Sequence, residues 1–135
     1  MKIKKSYPIN KLSDKNVLKL SDLCTKYMSK ILGVNNRKKT PLSITIDDDT
    51  NATSFGVYDA FINNITIYTK HSNTIEEFIS TFIHEYTHYT QPIRTKYYKL
   101  YKQFGYDNHP HEIHARDNEI KLFPILYNNI KNHFS

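Results

Sequence analysis

With 135 residues, the chain is expected to form one domain (1–135) around one core, and eleven Tyr and seven Phe can fill that core without Trp. The single cysteine, Cys24, excludes an internal disulfide, and no stretch approaches the roughly 20 apolar residues of a membrane span. The formal net charge of +6 is spread over Lys2, Lys4, Lys5, Arg37, Lys38, Lys39, Arg94, Lys96, Lys99 and Lys102; it permits a nucleic-acid partner, though a solvated surface is the commoner origin of such a spread.

Met1 to Asn10 is basic with no apolar stretch behind it, so no signal peptide is expected and a cytoplasmic protein is the default. A bias to Lys, Asn, Ile and Tyr suits an AT-rich coding sequence, such as that of a low-GC bacterium, a virus or a mobile element, and says nothing of activity. Nothing in the sequence sets an oligomeric state.

The first expected helix covers 13–32. Ser13 or Asp14 caps it, Leu20, Leu23, Tyr27, Met28, Ile31 and Leu32 form its buried face with Cys24 among them, and Gly33 stops it. A basic loop, Asn35 to Pro41, leads to the alternating run Leu42 to Ile46, a strand. Asp47, Asp48 and Asp49 follow; they are consecutive and lack the central Gly of a calcium loop, so a polar turn is the better reading. Two more strands are expected at Ser54–Tyr58 and Asn64–Tyr68, with His71 to Asn73 leading onward.

A second helix opens with Thr74-Ile75-Glu76-Glu77, a capping box. Ile75, Phe78, Ile79, Phe82, Ile83, Tyr86 and Tyr89 then recur at helical spacing, and Pro92 limits the helix. Thr95 to Phe104 reads as a short helix stopped by Gly105. His109-Pro110 starts another, because Pro is favoured in the first turn, and Pro124 is expected to bend or divide it.

The last two turns of the second helix carry His84-Glu85-Tyr86-Thr87-His88, an H-E-x-x-H pentapeptide. Residues four apart stand one above the other on a helix, so both imidazoles can face one ion and Glu85 can reach a water on that ion. The plain alternative is a surface helix with two solvated histidines. Such a helix has no need of so much Ile and Phe.

A catalytic zinc usually takes three protein ligands. The metzincin continuation is absent, since Gln91 and Arg94 occupy its Gly and last His positions. Downstream, His109-Pro110-His111-Glu112-Ile113-His114-Ala115 offers His109, His111, Glu112 and His114. Spacing leaves these four open.

H-E-x-x-H followed by Pro110-His111-Glu112-Ile113-His114-Ala115 resembles the gluzincin peptidases, particularly small single-domain members and the metallopeptidase domains of the ImmA/IrrE group. The resemblance covers roughly residues 42–120. It implies an α+β, zincin-like fold: an N-terminal helix, a small three-stranded sheet, the H-E-x-x-H helix and a C-terminal helix carrying the third ligand. It implies zinc held by His84, His88 and Glu112, with Glu85 as general base. Ala115 matches the small residue that lets the second helix approach the first. His114 departs from the family pattern, and no helix-turn-helix signature accompanies the domain.

Asp117 and Glu119 are candidates for the carboxylate that orients a ligating imidazole. Tyr106 is the first candidate to donate to the oxyanion, with Tyr97, Tyr98 and Tyr101 behind it. A protein or peptide substrate is expected to lie along an edge strand at Phe55, Gly56 and Val57, where Gly56 either lets a backbone approach or forms a bulge. The expected function is therefore zinc-dependent peptide hydrolysis. The alternatives are an inactive zincin-fold binding module and a basic DNA-associated zinc protein. Glu85 favours hydrolysis, because a structural site has no need of a base.

Overall fold

The computed structural model describes residues 3–38, 40–49, 51–70, 74–92 and 94–134, with Arg94 and Thr95 as backbone alone. The side chains of Lys2, Lys39 and Arg94 and the expected connection at 71–73 lie outside the described residues. The elements run α1 (Asp14–Leu32), β1 (Ser43–Asp47), β2 (Gly56–Asp59), β3 (Asn64–Tyr68), α2 (Ile75–Thr90), α3 (Arg94–Phe104) and α4 (Pro110–Ile130). The fold is α+β. No helix among the described residues is long and apolar enough to cross a membrane.

Local chemistry sets the helix ends. Ser13 caps α1 by accepting from the Asn16 N–H at 3.2 Å, and Gly33 ends it at φ 78°, a conformation that costs a residue without Cβ little. Thr74 caps α2 by accepting from the Glu77 N–H at 3.2 Å. The N-terminal segment completes that end: Tyr7 O and Lys5 O accept from the N–H groups of Ile75 and Glu76. Asp47 and Asp49 accept from the backbone N–H two residues on, as a polar turn requires.

The sheet has the order β1-β3-β2, with β1 parallel and β2 antiparallel to β3, so β2 is an edge strand. The register puts Ile44, Ile46, Tyr58, Ile65 and Ile67 on one face and Thr45, Val57 and Thr66 on the other. The first face packs on α2, whose Ile75, Phe78, Ile79, Phe82, Ile83, Tyr86 and Tyr89 are all buried. Burying each such side chain contributes about 1.5–3 kcal/mol. The two tyrosine hydroxyls on this stripe stay paired: Tyr86 donates to Gly33 O, and Tyr89 accepts from the Asn35 N–H.

Gly56 brings β2 hard against α2. A Cβ there would lie 2.7 Å from Thr81 Cγ2 and 2.9 Å from Thr66 O, so the residue without one is required. α4 packs along α2 with Ala115 fully buried between them, and α1 covers both helices.

Two expectations change. α4 runs unbroken through Pro124, because Pro124 and Ile120 both lie on its exposed side, where water can serve the freed carbonyl of Ile120. Ile31, expected in the buried face of α1, is 38% exposed, while Met28 and Leu32 on either side of it pack on the core.

Candidate metal centre

α2 and α4 bring three side chains to one point. His84 Nε2 and His88 Nε2 lie 3.0 and 3.1 Å from the same atom, Glu112 Oε1. All three candidate ligand atoms fall within 4.8 Å of one another. Ligands about 2.0–2.1 Å from a tetrahedral ion stand about 3.3 Å apart, so little movement would admit one.

Each donor is held from behind. His84 Nδ1 is 2.7 Å from Glu119 Oε2, and His88 Nδ1 is 2.7 Å from Gln91 Oε1. The Tyr97 O–H donates to Glu112 Oε2 at 2.7 Å, which leaves Oε1 as the oxygen facing the imidazoles. With Nδ1 donating to Gln91, Nε2 is the His88 nitrogen that faces the carboxylate oxygen. A cation between them would be held by both. Two imidazole nitrogens and one carboxylate oxygen are the donor set of an open zinc site.

Electrostatics follow from the same contacts. Burial works against a charge on His84, but hydrogen bonds to Glu112 and Glu119 outweigh it and push its pKa up to about 10. Burial also resists the Glu112 carboxylate, yet hydrogen bonds from His84, His88 and Tyr97 hold it well below the usual carboxylate range.

Glu85 stands beside the cluster and outside it. Burial raises its pKa, while the neighbouring imidazoles and the Tyr58 N–H that bonds its carboxylate pull the other way. A buried carboxyl with a raised pKa is suited to taking a proton.

Of the four downstream candidates, only Glu112 joins the cluster. His109 is fully buried and uses both nitrogens: Nδ1 accepts from the His111 N–H at 3.0 Å, capping α4, and Nε2 donates to Tyr97 O at 2.9 Å. His111 lines the cleft beside the cluster, its pKa lowered first by burial and then by neighbouring positive charge. His114 turns to Gln91 and Asn118.

Of the two carboxylates expected to orient an imidazole, Glu119 lies against His84 Nδ1. Asp117 is exposed and makes no hydrogen bond or ion pair with the cluster. Gln91 is the residue that motif reading missed. Its only sequence signal was the position just past α2, three residues after His88.

The cluster floors a cleft of about 280 Å³, lined on one side by Gly56, Val57 and Tyr58 and on the other by Tyr97, Tyr106 and His111. Tyr106 is half exposed there. Burial raises its pKa, and the negative charges of Glu112 and Glu85 add to that. Phe55, next to this wall, is 52% exposed. The ladder bond from the Tyr68 N–H to Phe55 O sets the alternation of β2, so Gly56 and Tyr58 turn their backbone groups to the outer edge.

No protein-family model matches the chain, and no curated protein or solved structure matches it significantly.

Proposed function

We propose that the chain is a zinc-dependent peptidase of zincin-like, gluzincin type. The observation that carries this reading is the buried Glu85 carboxyl beside the convergent His84, His88 and Glu112, in a cleft edged by a strand. A purely structural site would need the three donors and no neighbouring base. When bound, zinc would polarise a scissile carbonyl and acidify a water.

The chain's own residues do the rest. Glu85 takes the proton of the attacking water and passes it to the leaving amine. Tyr106, at the cleft rim, donates to the oxyanion, while Tyr97 stays with Glu112 Oε2. An extended protein or peptide substrate adds to β2 and pairs with the outward backbone groups of Gly56, with the exposed Phe55 and Val57 beside it. The side-chain face of Gly56 is spent on packing against Thr81, so substrate contact there is through the edge.

The test is Glu85→Gln. It keeps shape and ligands but removes the proton acceptor, so zinc binding persists and cleavage of a captured substrate falls at least about a hundredfold. Equal cleavage by both proteins would remove Glu85 from the chemistry. Tight binding of a protein by both, with cleavage by neither, would favour the binding-module reading.

A further inference from the structure

The geometry points to Gln91 as a positioning residue that fixes the tautomer of His88 and ties it to the helix carrying Glu112. The inference rests on the metal-centre part of the proposed function. Gln91 follows α2 directly, where the backbone has left the helix (φ −80°, ψ 164°), and its N–H caps the helix by donating to His88 O at 3.1 Å. From there its side chain crosses to the first turn of α4.

An amide has one donor end and one acceptor end. Gln91 Nε2 lies 2.9 Å from His111 O, a carbonyl that can only accept, so the amide has one orientation. Its Oε1 must then face His88 Nδ1, 2.7 Å away, and that nitrogen must donate. With that nitrogen committed to Gln91, Nε2 is the one turned to Glu112 Oε1, 3.1 Å away, and the one that would bind a cation. Gln91 Nε2 also approaches His114 Nδ1 at 3.2 Å, a nitrogen that accepts in one of its two tautomers and so is compatible with that orientation.

The amide is 9% exposed, and a buried amide is retained at low cost only when its partners are present. Its two ends serve different helices. One holds the second imidazole of α2, and the other holds the carbonyl immediately before Glu112 on α4. His84 is tied to α4 more directly, by Glu119 two turns further along that helix. Gln91 and Glu119 thus each tie one imidazole of α2 to α4, Gln91 at the turn that carries Glu112.

The experiment uses the full chain and three proteins: wild type, Gln91→Leu and Gln91→Glu. In zinc-loaded wild type, nitrogen NMR of the imidazoles is expected to find the His88 proton on Nδ1, with that N–H shielded from exchange by Gln91. Gln91→Leu is expected to expose that N–H to exchange and to bind zinc about 10- to 100-fold more weakly in chelator competition. Gln91→Glu restores an acceptor at Nδ1 but not the donor to His111 O, and is expected to recover most of the lost affinity.

Wild-type His88 protonated on Nε2, or Gln91→Leu holding zinc as tightly as wild type, would overturn the inference. The wild-type ring measurement decides even if a variant fails to fold. Neither readout uses hydrolysis, so a protein that passes both and cleaves nothing overturns the peptidase reading and leaves the role of Gln91 standing.

Discussion

The floor of the cleft and its α3 wall are built differently. α2 and α4 meet along a buried seam, with Ala115 fully enclosed and the Asn118 amide donating to the buried Thr87 hydroxyl at 3.1 Å. α3 faces them with Tyr98, Tyr101 and Phe104 about half exposed, and none of its described residues is buried. The seam holds every candidate ligand. α3 lends the cluster one hydroxyl, from Tyr97. Geometry that must hold to fractions of an ångström sits on packed helices, and the side that a substrate would pass is left light.

That contrast can be broken by substitution. Phe82, fully buried on α2 and stacked on Tyr86 at 6.2 Å, should lose about 3–5 kcal/mol of stability as Phe82→Ala, read by denaturant unfolding. Ala115→Leu should overpack the seam at a cost of about 1–3 kcal/mol and weaken zinc binding as well, because it displaces the turn that carries Glu112. Normal zinc affinity in that variant would mean that the seam does not set the site.

Glu119→Gln should reduce zinc affinity about 10- to 100-fold while Asp117→Asn leaves it unchanged, since only Glu119 reaches His84. The smallest effect belongs to the α3 wall: Tyr101→Ser should change stability by no more than about 0.5 kcal/mol. A loss as large as that of Phe82→Ala would show that α3 is packed in solution far more firmly than its exposure indicates.

Features decided within one turn of chain were legible in the sequence. The Ser13 and Thr74 caps, Pro110 opening α4 and the stripe from Ile75 to Tyr89 depend on neighbours a few residues away, and each stands where its pattern placed it. Glu112 came from a resemblance, because spacing alone left it level with three histidines; only the meeting of α2 with α4 separates them.

Gln91 and His109 show the limit most clearly. One is an unremarkable polar residue that three hydrogen bonds make central, and the other is a potential ligand that a helix cap consumes. Gly56 could be read as a bulge or as an approach for substrate. Its requirement comes from Thr81, 25 residues later in the chain, and no local pattern records that contact. Pro124 misled for the converse reason. A local rule expected a bend or a division, and exposure on one side of a long helix lets α4 continue undivided.

The central claim is that His84, His88 and Glu112 hold one cation. Zinc content is the direct measurement, made on purified wild type and on the His84→Ala/His88→Ala double variant after zinc loading and dialysis. The account predicts about one zinc per chain in the wild type and none in the variant. Full occupancy in the double variant, or an empty wild type, would contradict it.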